Sequence, residues 1–356
     1  MPAKSLCIKV PKLKGEKTLI LANKLEMRNR KMEIQKNAHF IYIPLTRQPS
    51  ETELAMLKAQ VPDFQLVTRA FSERKQPVKT LAELLANQLP PILLNSLPRA
   101  LDTVGDIAII EIPPELNAHA TLIGEAILKT HKNMHTVLAK AGAVSGTYRI
   151  RELAVIAGEP KTTAIHKEHG CTYHVDAAKA YFSPRLSHEH SRVASLVQTG
   201  ETVLDLFAGV GPFAVLIAKK TPSAKVCAVD INPDAVELLK RNIRLNRVEN
   251  RVFPILGDAQ QIVEHKLLGV ADRVIMNLPE KAIGFVGAAC KAVKPVGGIV
   301  HFYGFIRLPD SIENMQSRFS EAVETAGRKV DKFLFAKTIR ETAPYEWQVV
   351  LDAKIL

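Results

Sequence analysis

The chain has 356 residues, 47% of them apolar, and 48 Lys and Arg against 36 Asp and Glu, a formal charge of +12. That length predicts two or three domains with a sizeable core, and the charge points to a polyanionic partner. No apolar run is long enough to span a bilayer and no signal peptide is visible, so a membrane surface is the weaker reading. The four cysteines, Cys7, Cys171, Cys227 and Cys290, are scattered without metal-ligand spacing. This predicts a metal-free chain in a reducing, cytoplasmic setting, with Cys227 and Cys290 as small core residues.

Residues 1–70 read as a small basic α/β module. Ser5–Val10 and His39–Pro44 are short strands, and a helix-like stretch between them carries Lys24, Arg28, Arg30, Lys31 and Lys36. Such a basic helix is more often a solvated face than a binding surface, and the overall charge raises RNA contact to an equal reading. Residues 71–180 form a second, middle segment, punctuated at its start by Pro77, Pro90-Pro91 and Pro98. Leu81–Leu89, Ile92–Leu97 and His119–His131 read as helices, and Asp106–Ile112 as a strand. Gly146–Glu152 reads as a basic strand. Arg149 and Arg151 would then share one face, with Tyr148 and Ile150 on the other. Thr162–His166 and Cys171–Val175 suggest a hairpin, because Gly170 supplies the positive φ its turn needs.

From Tyr181 to the end the pattern is strand–helix alternation. A helix over Ser187–Gln198 leads to an apolar strand ending at Asp205. The turn Phe207-Ala-Gly209-Val-Gly211-Pro212 follows, opening a helix at Phe213. Glycines there permit a sharp turn and a close ligand approach. A second strand ends on Asp230, about twenty residues beyond that turn, where this class of fold places an acid on a ribose. Asn232-Pro233 caps the next helix. A third strand ends at Gly257-Asp258-Ala259 and a fourth at Asn277-Leu278-Pro279. Four strands therefore carry turn or polar groups at their carboxyl ends, where open α/β sheets bind ligands. Beyond them come helices over Lys281–Val293 and Ser311–Ala326, a strand at Gly298–Tyr303, and a terminal hairpin of Lys329–Ile339 with Tyr345–Leu351.

These residues resemble a class I S-adenosylmethionine-dependent methyltransferase. Dinucleotide dehydrogenases prefer a three-glycine turn, and here proline stands where the third-glycine pattern would begin. The resemblance implies a Rossmann-like catalytic domain over 181–356 with a terminal antiparallel strand, preceded by two smaller α+β RNA-binding domains. It implies an S-adenosyl-L-methionine site formed by Tyr181, His190, Asp205, Phe207, Gly209, Gly211, Asp230, Ile231, Asp258, Ala259 and Asn277. Asp230 would hold the ribose hydroxyls and Asp258 the adenine amino group.

With Thr147–Leu153, Tyr181–Leu186, Glu189 and Asn277-Leu278-Pro279 included, the chain is similar to the archaeal and eukaryotic tRNA (guanine-N1)-methyltransferases that act at position 37. That family implies tRNA as partner, with the N-terminal module checking its outer corner and the catalytic part engaging the anticodon stem-loop, and a monomer is expected. Guanine N1 carries a proton at neutral pH, so the chemistry needs a base for N1–H and a donor for the charge that shifts to O6. The resemblance gives these roles to Glu189 and Arg149, with Asn277 and Pro279 beside them. By position alone, Glu189 reads as a solvated first-turn helix acid favoured by the dipole. Asn277 alone reads equally as a turn residue, and Tyr181 as cofactor contact, base stack or core. Arg185 would meet phosphate, and His188 and His190 read as solvated or RNA-facing. His190 departs from the family, whose members often carry arginine there. Two other readings stand beside this one. One is a wyosine-pathway relative that transfers an aminocarboxypropyl group or also methylates a tricyclic guanine. The other is a tRNA-binding protein without catalysis.

Overall fold

The structure, a computed structural model, describes residues 3–74, 80–142, 146 and 148–356. Pro77 and Thr147, singled out above, lie outside them. Contacts divide the chain into two compact units, Met1–Val78 and Lys79–Leu356.

The first unit runs β1 (Ala3–Pro11), α1 (Gly15–Lys24), β2 (Gln35–Lys36), β3 (Phe40–Pro44), α2 (Glu51–Gln60) and β4 (Gln65–Phe71). Its four-stranded sheet has the order β2-β3-β1-β4. Ile8, Val10, Ile43 and Leu57 bury one face of it. The basic stretch is not one helix. α1 ends at Lys24, and Arg28, Arg30 and Lys31 follow it in loop and bridge conformations. Glu26 at φ 52° turns the chain out of the helix. α2 is unanticipated because it buries only Leu57, so it has no apolar stripe to read. Its start was legible, since Ser50 and Glu53 form a reciprocal capping box.

In the second unit, α3 (Leu81–Leu85) and α4 (Pro91–Asn95) precede a four-stranded sheet, β5 (Asp102–Val104), β6 (Ile107–Ile110), β7 (Thr136–Lys140) and β8 (Leu153–Gly158). Helix α5 (Ala120–Thr130) connects β6 to its parallel neighbour β7 and buries Ile123, Ala126 and Ile127 in the core of this sheet. The expected hairpin is present as β9 (Thr163–Glu168) and β10 (Cys171–Asp176), with Cys171 opposite Glu168, so its turn is shorter than the Lys167–Gly170 connection.

The remaining elements are α6 (Ser187–Leu196), β11 (Thr202–Asp205), α7 (Pro212–Lys220), β12 (Lys225–Asp230), α8 (Pro233–Asn246), β13 (Val252–Leu256), α9 (Ala259–Lys266), β14 (Arg273–Met276), α10 (Val286–Ala292), β15 (Gly298–Arg307), α11 (Ile312–Thr325), β16 (Val330–Ala343) and β17 (Glu346–Ile355). The seven-stranded sheet has the order β13-β12-β11-β14-β15-β17-β16. The first five strands are parallel and β17 runs antiparallel between β15 and β16, so the expected class I architecture and terminal hairpin are present. Successive residues face opposite sides of the sheet. Val203 and Ile275 join the core beneath α6, α7 and α8, and Leu204 and Val274 the one beneath α9, α10 and α11. All four cysteines are free thiols. Among the described residues no helix is long and apolar enough to cross a membrane.

Candidate active site

The carboxyl edge of the parallel strands opens into a cavity of about 380 Å³. The turn after β11 forms its floor. Gly209 at φ 54° and Gly211 at φ 90° occupy the left-handed region, which disfavours any side chain. Gly209 lines the cavity. Gly211 does not: it caps α7, where a Cβ would come within 2.3 Å of Leu239 Cδ1.

Asp230, at the end of β12, lines the cavity and accepts from Gly209 N at 2.6 Å and Asn232 N at 2.9 Å. Burial raises its pKa, against those backbone donors. Asp258 caps α9 through Oδ1, which takes Gln260 N and Gln261 N. Tyr181, His190, Phe207, Ile231, Ala259, Asn277 and Pro279 line the same cavity. Phe207 stands edge-on to Phe285 at 5.0 Å, and with Ala259 the two rings give the cavity an apolar wall.

Besides Gly211, two predicted residues lie outside the lining. Asp205 is fully buried beneath the turn, with Phe207 N on Oδ1 and no partner for Oδ2. Burial, with the nearby Asp230 charge, pushes its pKa up to about 7. Glu189 is 5% exposed and therefore not a solvated helix acid. Its neighbours Leu186 and His190 line the wall, while its carboxylate turns behind it to Arg192 and Tyr303.

The expected basic strand over Gly146–Glu152 is a turn instead. Arg149 N bonds Gly146 O at 3.3 Å and Arg149 itself has φ 53°, so no strand alternation applies to Arg149 and Arg151. The turn carries the Arg149 guanidinium to 5.6 Å from the Tyr181 ring centre. Its Nη1 lies 3.1 Å from Glu280 Oε2, outside hydrogen-bonding alignment. Arg149, Tyr181 and Glu280 also border a second cavity of about 390 Å³, to which Lys140, Arg151 and Arg185 contribute.

Arg185 is already paired, with Asp102 of β5. Of the two histidines flanking Glu189, only His188 is exposed; His190 is 1% exposed. Its Nδ1 meets Glu168 Oε1 at 2.7 Å and its ring stands edge-on to Phe213. Burial pushes Glu168 up, but nearby His166 and the bond from His190 bring its pKa down to about 2. Sequence reasoning missed Glu280, although it directly follows Asn277-Leu278-Pro279. It also missed Glu168, which no motif marks.

The site accepts a nucleoside-bearing cofactor. The Asp230 carboxylate, the bare Gly209 backbone, the Phe207 and Phe285 rings and the unpartnered Asn277 Oδ1 lie around one cavity. The TRM5/TYW2 methyltransferase domain model matches residues 164–332, the TYW2 N-terminal domain 81–162 and the tRNA methyltransferase 5 N-terminal domain 7–53. The chain is 38% identical to tRNA (guanine(37)-N(1))-methyltransferase Trm5b of Pyrococcus abyssi over 351 residues, 99% of each chain. It superposes on aTrm5 from the solved complex with tRNALeu at a TM-score of 0.74 and 32% identity, covering 99% of this chain and 100% of that one. Methanocaldococcus jannaschii TYW2, solved with AdoMet, gives a TM-score of 0.56 at 28% identity and covers 72% of this chain and 99% of that one. The fold, the cavity and these matches agree: the chain belongs to the TRM5/TYW2 family of S-adenosylmethionine-dependent methyltransferases.

Proposed function

We propose that this protein methylates N1 of the guanosine at position 37 of tRNA. The observation that carries the reading is a pair of unsatisfied polar atoms on one cavity wall, the Arg149 Nη1 donor and the Asn277 Oδ1 acceptor. A guanine edge offers the complement, an O6 acceptor beside N–H donors, whereas adenine presents a donor where Arg149 needs an acceptor. The end-to-end similarity to the Pyrococcus abyssi enzyme supports the same substrate.

When bound, S-adenosylmethionine supplies an electrophilic methyl group and leaves as S-adenosylhomocysteine. Asp230 would hold the ribose diol, and Phe207, Ile231 and Ala259 would enclose the adenine beside Asp258. Guanine enters from the RNA side, flipped out of the anticodon loop. Arg149 leaves Glu280 to hold O6, and Asn277 and Pro279 fix the base edge. Glu189 turns from behind the wall and takes the N1 proton; the N–H electron pair becomes the new N–C bond. Arg149 stabilises the charge that shifts to O6. We assign residues 1–70 to tRNA recognition, supported by the crowding of Arg28, Arg30 and Arg74. Residues 71–180 are a middle RNA-binding domain, and the enzyme works as a monomer in the cytoplasm.

The test is label transfer from S-adenosylmethionine to paired tRNA transcripts bearing guanosine or adenosine at position 37, with nucleoside analysis. N1-methylguanosine from the first alone is expected. Label in the adenosine transcript, or an aminocarboxypropyl product, overturns the assignment.

A further inference from the structure

Behind the cavity wall, seven side chains join in one largely buried line. Glu189 on α6 receives Arg192 Nε on Oε1 at 3.0 Å, and both Arg192 Nη2 and the Tyr303 hydroxyl on Oε2 at 2.9 Å. Arg192 reaches onward, Nη1 to Asp352 Oδ2 at 2.5 Å and Nη2 to Oδ1 at 3.2 Å, with its guanidinium over the Phe335 ring. His301 Nδ1 meets Asp352 Oδ1 at 2.6 Å, and His301 Nε2 meets Arg273 Nη1 at 2.8 Å. Arg273 closes on Glu201 at 3.0 and 3.1 Å.

Arginine can only donate, so His301 Nε2 must accept and Nδ1–H must donate to Asp352. His301 is therefore neutral, in keeping with the way burial lowers its pKa. The line then holds three carboxylates and two guanidiniums; Glu201 at its far end is partly exposed, and the buried Glu189 and Asp352 carboxylates share the single Arg192 guanidinium. A buried charge without a counter-charge is costly, and one proton on Glu189 removes it. Burial raises Asp352, but His301 and Arg192 bring its pKa down to about 2.

We propose that Asp352 and Tyr303 are opposed positioning residues that set how readily Glu189 accepts a proton. Asp352 takes half of the Arg192 fork, so Glu189 is held in place without being neutralised, and Arg192 keeps a partner when Glu189 turns into the cavity. Tyr303 acts the other way, donating to the ionised carboxylate. Exposed His188 stands 4.0 Å from Glu189, while His301 and Arg273 lie beyond Asp352, Arg273 being paired with Glu201. The inference rests on Glu189 being the base.

The experiment is single-turnover methylation of tRNA across pH, with S-adenosylhomocysteine affinity as a second readout. Asp352→Asn leaves Arg192 to Glu189 alone; its acid limb moves about one unit lower and its plateau falls. Tyr303→Phe removes a donor; its acid limb moves about one unit higher. Both bind S-adenosylhomocysteine as the wild type does. Limbs that stay in place, or move in the same direction, overturn the proposal. Should Asp352→Asn not fold, the Tyr303→Phe limb alone decides. Glu189→Gln separates the two ideas. A loss of about a hundredfold or more keeps Glu189 as the base. An unchanged rate removes the base, and the reading beneath this inference, irrespective of the other variants.

Discussion

Asp205 shows how a residue can be conspicuous in a motif and still have its environment decided elsewhere. Its place at the end of an apolar run marks it as a strand-end acid. Nothing local says that it is fully buried or that Oδ2 goes unpartnered. Its pKa of about 7, against 3.8 ordinarily, has a consequence for stability. Below the ordinary value both folded and unfolded chains hold the proton. As pH rises from about 4 to about 7 the unfolded chain ionises freely while the folded one resists, so stability falls across that window and levels off above it. Glu168 and Asp352, each held near 2, have the opposite sign: their contribution is present above the ordinary carboxylate range and is lost as pH falls toward 2. The windows barely overlap, so Asp205→Asn isolates the first effect. We expect denaturant unfolding to lose its slope between pH 4 and 7, with a ceiling of about 4 kcal/mol for the difference from wild type. An unaltered slope would mean that Asp205 is ionised in the folded protein.

At the scale of elements, helix α8 holds the β9–β10 hairpin by an unusual seam. Asn242 Oδ1 accepts His174 N at 2.6 Å, and its Nδ2 donates to His174 O and to Val210 O in the glycine turn. Asn246, one turn on, makes the same double bond with Thr172 N and O. The two amides thus stand in for a missing strand along β10. Both the hairpin and α8 were legible, one from its glycine turn and the other from its Asn-Pro cap. Their partnership was not, because an asparagine on a helical repeat reads as a surface residue. Asn242→Ala leaves buried backbone groups unsatisfied on two elements and should cost about 2–4 kcal/mol in denaturant unfolding. S-adenosylhomocysteine affinity should fall with it, because Val210 lies between the two glycines. An Asn246→Ala control should destabilise without that loss of affinity.

At the scale of the molecule, the charge of +12 is the feature that the fold itself does not need. Arg28 sits against Arg30 and Arg74, and burial together with those like charges lowers its pKa, a crowding that a polyphosphate would relieve. Transfer RNA affinity should therefore fall about tenfold or more between 50 and 200 mM salt, while S-adenosylhomocysteine affinity holds. Replacing Arg30 or Arg74 with alanine should flatten the salt slope by about one each, measured by filter binding. A salt-independent affinity would detach the charge from RNA binding. Local signals determined the parallel sheet, the glycine turn, the terminal hairpin and the acids at the strand ends. Each depends on a period, a cap or a turn residue a few positions away. Tertiary structure alone decided that Arg149 lies on a turn, that Glu189 is turned from water, and that Arg192 meets a carboxylate 160 positions further along the chain. Pairs brought together by sheet order leave no local period in a sequence, and burial of a charge depends on partners that only the folded sheet supplies.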